Sequence, residues 1–376
     1  MKFSASSAEL LKALTVVSGA VPSKSTLPIL ECILFESNDD MLQISATDLE
    51  ISIIQGVPVQ FDSTYSTRVN RIAVPAKRLL DTLRALPDLP ITFVTNEDFQ
   101  ITLQTDHGTY KMVGYDGADY PALPELGDNA VLRMDGAILK RAIQKTGFAV
   151  SREVLRPAMM GIFFQIQQDS SRLVSTDGHR LVRLSLHSIS NDAATSFIVP
   201  EKAMALASKV VSSSDCTISV DQSYISFDFN GSRVLARLID ETYPNYEAVI
   251  PVENDKRLTV NRGAMLAAVK RVGLYSSSMT NQIRLSISKD KVEISAEDIE
   301  RSSEAHEVIN AEYDSDDMVI GFNAAYLTEV LGHIDADEVV IELSSPNRAG
   351  IVTPLEQNDD EELLMLIMPV MLNSYA

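Results

Sequence analysis

The amino-acid sequence predicts an α+β fold of three tandem copies of one domain, each copy holding two half-units of helix plus small antiparallel sheet. Three observations carry that prediction. One helical pattern occurs three times, a second helical pattern alternates with it three times, and the intervals between equivalent positions are nearly constant. A fixed period of this kind defines an architecture before any single window of sequence does.

The first pattern is a helix closing on a small residue: LLKALTVVSGAV (10–21), ILKRAIQKTGFAV (138–150) and MLAAVKRVGLYS (265–276). The second opens on a turn and runs into a helix: VPAKRLLDTLRAL (74–86), VPEKAMALASKVV (199–211) and FNAAYLTEVLGHI (322–334). Between them lies a recurring strand-end phrase, ISATDLE (44–50), VSTDGHR (174–180) and ISAEDIE (294–300). The first two units also close alike, on DYPALPEL (119–126) and TYPNYEAVIP (242–251). Pro75 and Pro200 are 125 residues apart, Pro200 and Asn323 are 123 apart, and Pro121 and Pro244 are again 123 apart. The spacing divides the chain into domains at 1–126, 127–251 and 252–376. Within each domain the first helix leads to short period-2 runs such as ILFES, MLQISAT and LEISIIQ. The second helix leads to ITFVTN, FQITLQT and TYKMVGY. Alternating runs separated by Asn-Asp, Glu-Asp or His-Gly turns are antiparallel hairpins.

A chain of 376 residues and 41.3 kDa exceeds one ordinary core, and 45% hydrophobic residues suffice to fill several. Its two cysteines, Cys32 and Cys216, lie far apart in no metal-type spacing, which fits a reducing compartment. The opening MKFSASSAELLKAL has no apolar leader, and no apolar run approaches the ~20 residues of a membrane span. A cytoplasmic protein with no membrane partner is expected.

The net charge of -20 would seem to exclude nucleic acid, but contact depends on where charge sits rather than on its sum. Taken as 6–18, 75–86, 135–150, 200–211, 261–275 and 323–333, the six helical segments together carry 12 Lys and Arg against 5 Asp and Glu, so the rest of the chain holds a charge of -27. Such segregation points to a helical surface for a polyanion and an acidic exterior. No base-reading helix, zinc-finger spacing or aromatic RNA-binding strand accompanies it. Contact would therefore be with phosphates, independent of sequence and sensitive to salt. Helices packed side by side sit roughly 10 Å apart, so six span an arc of about 60 Å and twelve span the roughly 110–120 Å needed to enclose a hydrated duplex. Two chains would close a ring.

These residues resemble the beta subunit of bacterial DNA polymerase III, the sliding-clamp family, over essentially the whole chain. The motifs that carry the resemblance are TLPIL (26–30), ATDLE (46–50), VPAKRLLDTLRALP (74–87), STDGHRL (175–181), YPNYEAVIP (243–251), GFNAAYL (321–327) and MPVML (368–372). The resemblance implies clamp domains arranged as a head-to-tail homodimeric ring with helices lining the pore. It also implies double-stranded DNA, the polymerase III catalytic subunit, a clamp loader, and other polymerases and repair proteins as partners. The proteins among these would dock short motifs into one hydrophobic pocket per subunit. Carried over residue by residue, the pocket comprises Thr176, Gly178, His179, Arg180, Leu181, Pro244, Val249, Leu366, Met368, Pro369, Val370 and Met371, with Met159 in its floor. Flexible, polarizable methionines suit a surface that accepts several peptides. Without the resemblance, Met368, Pro369 and Leu372 read rather as the end of an edge strand that fills core.

For DNA, the resemblance assigns Lys24, Arg84 and Lys202, and helix charge adds Lys140, Lys145, Lys270 and Arg271. For the dimer joint, the acidic Glu297, Asp298, Glu300 and Glu304 of the third domain would face Arg78 of a second copy. Departures from the family pattern are Glu201 and Ala248 at positions often basic, Met371 where Arg is common, and the terminal NSYA. They bear on the strength of DNA contact and on peptide preference. The run Asn358 to Glu362 reads as a solvated acidic loop.

The most enzyme-like phrase, Thr176 to Arg180, offers His179 as an acid or base beside Asp177. Its counterparts in the other repeats keep the acid and lack the His, which marks a structural turn. No P-loop, GxSxG, HExxH or CxxC occurs, and the five His are scattered, so no catalysis, cofactor or metal is expected. The alternative to a clamp is a scaffold that binds peptides without encircling DNA.

Overall fold

The computed structural model describes residues 1–38, 41–65, 69–127, 130–189, 194–211 and 215–372. The terminal NSYA lies outside them. Six α-helices occur among the described residues: α1 (Ser7–Val17), α2 (Ala76–Ala85), α3 (Gly136–Thr146), α4 (Glu201–Val210), α5 (Arg262–Gly273) and α6 (Ala324–Gly332). Each overlaps one of the six repeat segments, with α1, α3 and α5 beginning two or three residues ahead of theirs.

Each helix is amphipathic for a readable reason. In α2, Ala76, Leu79, Leu80 and Leu83 are buried while Lys77, Arg78, Asp81 and Arg84 face outward, a 3.6-residue periodicity. Side-chain caps fix several starts: Ser6 accepts from the Glu9 amide, Asn261 from Ala264, and Asn323 from Ala325 and Tyr326. In α5 the last turn carries Lys270 and Arg271, favourable against the negative end of the helix.

The strands form antiparallel sheets of five, nine, eight and four members among the described residues. By compactness the chain divides into one unit of Met1–Lys140 with Lys202–Leu238, and another of Arg141–Glu201 with Ile239–Ala376. Neither unit coincides with a sequence repeat. In the first, the strand Ile51–Pro58 pairs with Ser232–Arg237, setting Ile53 opposite Val234, so one nine-stranded sheet draws on strands far apart in the chain. In the second, Arg180–Leu186 pairs with Glu361–Ile367, setting Leu181 opposite Leu366. Pairing across repeats removes edges that short sheets would otherwise expose.

Cores follow the strand alternation. In the first unit Phe3, Phe35 and Phe93 are fully buried and stack, with ring centroids 4.9 Å apart for Phe3–Phe93 and 5.3 Å for Phe35–Phe93. Both cysteines are buried and free, and burial pushes each thiol up to about 12, so neither is a nucleophile.

Candidate functional site

The recurring acidic phrase is a turn device. Asp177 accepts from the amides of His179 (2.9 Å) and Arg180 (3.0 Å), and Thr176 Oγ1 accepts from Gly178 N (3.1 Å) and donates to Arg180 O (2.7 Å). Gly178 sits at φ +88°, a left-handed position that favours glycine. Asp48 does the same work for Glu50 (3.1 Å) and Ile51 (2.7 Å), and Asp298 for Arg301 (3.2 Å). The shared acid therefore serves backbone geometry in all three repeats.

Arg180 departs from its expected place. It is 6% exposed and does not line an open surface. Its Nη2 donates to Phe148 O (2.8 Å), its Nε lies 3.2 Å from Asp177, and its Nη1 meets Glu329. The guanidinium sits 5.1 Å from the Phe148 ring centroid and 4.8 Å from that of Tyr326. His179 stacks on Tyr326 at 5.6 Å, and Phe148 on His333 at 4.0 Å. Arg180 thus frames the turn that presents His179. Phe148, Tyr326 and Glu329 are partners of Arg180 that sequence reasoning missed, since no local pattern ties them to it.

Beneath the turn lies an apolar floor that includes Val174, Leu181, Tyr243, Tyr246, Leu364 and Leu366. Thr176, Leu181 and Leu366 are buried in this floor or its edge rather than open to solvent. Tyr243 stacks on Phe163 at 4.6 Å and donates to Val174 O (3.4 Å), while Tyr246 donates to Gln165 (2.8 Å). Burial pushes the Tyr243 phenol well above its ordinary value. The tyrosines of YPNYEAVIP are therefore anchors. In the first unit Tyr120 plays the same part, accepting from Thr47 N (3.3 Å) and donating to Cys32 O (3.3 Å).

The C-terminal segment completes the surface. Met368 N donates to His179 O (2.8 Å), and Val370 N donates to Gly321 O (2.8 Å). A Cβ at Gly321 would lie 2.6 Å from Val370 O, so this glycine is required by the close approach of the tail. Met368 is 40% exposed, Val249 56% and Met371 73%, while Met159, Pro244, Pro369 and Val370 are half-buried. The loop bearing the exposed Val154 and Leu155 reaches the turn through Arg156, whose Nη1 lies 2.9 Å from where a Gly178 Cβ would stand.

The basic residues separate into free and committed groups. Lys24, Lys140 and Lys270 are exposed, as are Arg84, beside Asp81 (3.2 Å), and Lys202, beside Asp48. Lys145 is a correction to the helix-charge reading. Its side chain is only 12% exposed and its ammonium is 2.6 Å from Glu361, so its charge is used inside the chain. Arg271 is likewise bidentate on Glu307 (2.7 and 2.6 Å) and holds that carboxyl below its usual range. Glu361 corrects the reading of the acidic run as a solvated loop, because it is 6% exposed and opens a strand.

At the expected dimer joint, Arg78 is exposed on α2, in a cleft of about 720 Å³ shared with Lys77, Asp81 and Tyr110. Glu297 and Glu304 face each other in register and are exposed, as is Glu300. Asp298 is a further correction: it is buried and spent on its own turn, beside Arg301. Among the described residues no group of His, Cys, Asp and Glu is arranged to hold a metal, and no helix is long and apolar enough to cross a membrane.

Three successive segments match the models of the DNA polymerase III beta subunit: the N-terminal domain at 1–124, the central domain at 133–245 and the C-terminal domain at 247–371. The chain belongs to the DNA polymerase III beta subunit family. Among relatives, the beta sliding clamp of Vibrio cholerae is 26% identical over 374 residues, covering 99% of this chain and 100% of the relative. That of Staphylococcus epidermidis is 28% identical over 357 residues, covering 93% and 94%. The solved sliding clamps of Pseudomonas aeruginosa and Bartonella birtlesii, both bound to griselimycin, each superpose with a TM-score of 0.92 at 28% identity, covering 99% of this chain and all of theirs. Against the family's domain limits, the nine-stranded sheet combines strands of the N-terminal and central matches, and the eight-stranded sheet combines strands of the central and C-terminal ones.

Proposed function

We propose that the chain is a DNA sliding clamp, a non-enzymatic subunit that closes a head-to-tail dimeric ring around duplex DNA and tethers a polymerase to it. The observation that carries this reading is the match of three consecutive domains to the beta subunit family over the whole chain, on a fold with the same repeated helix pairs. The function is topological: it needs a closed ring and sequence-independent phosphate contact, and no reacting group. Domains 1–126, 127–251 and 252–376 are the three ring segments, and the cytoplasm is the working compartment. Lys24, Arg84, Lys140, Lys202 and Lys270 contact phosphates. Arg78, with Glu297, Glu300 and Glu304 of a second copy, forms the joint.

The pocket framed by Met159, Gly178, His179, Pro244, Val249, Met368, Pro369, Val370 and Met371 receives short peptide motifs of the polymerase III catalytic subunit, the clamp loader and other replication and repair proteins. Its floor holds Thr176, Leu181 and Leu366, and Arg180 frames it. We take griselimycin, which the solved clamps of Pseudomonas aeruginosa and Bartonella birtlesii bind, as its small-molecule ligand. Support comes from the exposed Met368 and Met371 beside a packed apolar floor. Light scattering at micromolar concentration tests the ring, whose expected mass is twice 41.3 kDa. A stable monomer would favour the scaffold reading instead.

A further inference from the structure

The strand Glu361–Ile367 runs directly into the tail that rims the pocket, yet its first residue points away from it, toward α3. Arg141 reaches Oε2 of Glu361 through Nε (2.9 Å) and Nη2 (2.8 Å), and Lys145 reaches Oε1 (2.6 Å). The Glu361 side chain is 7% exposed, that of Lys145 12% and that of Arg141 44%. Burial alone would raise the Glu361 pKa, but the two cations outweigh it and hold the carboxyl below its usual range.

The strand needs such an anchor at that end. On this strand its neighbour Gly350–Pro354 reaches only Met365, Leu366 and Ile367, so at residues 361–364 the edge away from Arg180–Leu186 holds just the turn bridge of Glu361 to Asn358 and the Leu363 amide donating to Gln357 (2.5 Å). The same end of α3 also holds the other pocket strands. Ser175 Oγ donates to Thr146 O (2.6 Å), and Arg180 Nη2 donates to Phe148 O just beyond the helix (2.8 Å). The starts or ends of three strands that build the pocket therefore hang on the C-terminal end of α3 and the residues just after it.

We propose that Glu361, with Arg141 and Lys145, is a positioning group of the peptide pocket: it sets the depth at which Leu364, Leu366 and Met368 are presented, without touching the ligand. The proposal rests on the pocket reading above. A buried carboxylate between two cations is strongly destabilised by loss of one partner, so the position of the strand responds to each of the three side chains.

The test uses the full chain and griselimycin titrated by calorimetry at a temperature well below the unfolding midpoint. Glu361→Gln and Lys145→Met are expected to weaken binding about tenfold, Arg141→Gln about threefold, and Lys145→Arg less than about twofold. Amide exchange is expected to quicken at 363–368 in the weakened variants. If all three neutral variants melt earlier yet bind as tightly as the parent chain, the group is merely structural and the proposal is overturned with the pocket intact. If Glu361→Gln does not fold, unchanged affinity in both Lys145→Met and Arg141→Gln overturns it equally. Failure of the parent chain to bind griselimycin overturns the pocket reading and the proposal together.

Discussion

The amide of Met368 donates to the carbonyl of His179 at 2.8 Å, which makes the C-terminal segment and the Thr176–Arg180 turn one surface. Removing residues 368–376 is therefore expected to abolish binding of the polymerase subunit and of griselimycin while leaving the light-scattering mass unchanged. Gly321→Ala is the finer version of the same experiment. The new Cβ would sit 2.6 Å from Val370 O and push the tail off its strand, weakening griselimycin binding by about tenfold. Parent-like affinity in either variant would remove the tail from the pocket.

The split between free and committed cations predicts salt behaviour. Alanine at Lys24, Lys140 or Lys270 is expected to reduce the slope of log affinity against log salt by about 0.9 for each phosphate no longer neutralised. Alanine at Lys145 is expected to leave that slope unchanged, because its ammonium already faces Glu361 at 2.6 Å. Filter binding or fluorescence anisotropy on short duplexes reads both.

Much of this was legible in the sequence, and what was not has a physical cause. The helices and the three-fold division followed from period and spacing, which are local properties. The pairing of Ile51–Pro58 with Ser232–Arg237, and of Arg180–Leu186 with Glu361–Ile367, was not legible. Alternation tells which face of a strand is buried and says nothing of its neighbour. Lys145 looked like any helix-face cation because its partner Glu361 lies in an acidic run that reads as loop. Asp298 looked like an interface charge because a buried turn acid and an exposed one have the same spelling. Arg180 was found through the motif that contains it, but its framing role depends on Phe148, Tyr326 and Glu329 from two other elements.

The ion pair at Glu361 gives a pH signature. Its folded pKa lies below the unfolded value, so its contribution to stability is complete above the unfolded carboxylate range and is lost as pH falls through the folded value. Glu361→Gln is expected to cost about 3 kcal/mol at neutral pH, a difference that stays level from about pH 6 to 8. The difference then shrinks below about pH 4. A gap between the two melting curves that persists unchanged in acid would show that the lost stability is not electrostatic.

At the joint, Arg78→Glu would place a carboxylate where Glu297, Glu300 and Glu304 of a second copy are proposed to meet a cation. Sedimentation is expected to show a shift toward the 41.3 kDa monomer at micromolar concentration. An unaltered dimer would move the joint elsewhere.

Retention on DNA distinguishes a ring from any other mode of binding. The protein is assembled on nicked circular DNA with a bacterial clamp loader, separated from free protein, and followed after the circle is cut once. A ring is predicted to remain on the circle through a high-salt wash and to leave soon after linearisation, because only topology holds it. Equal retention on circular and linear DNA, or no association with either, would rule out encirclement.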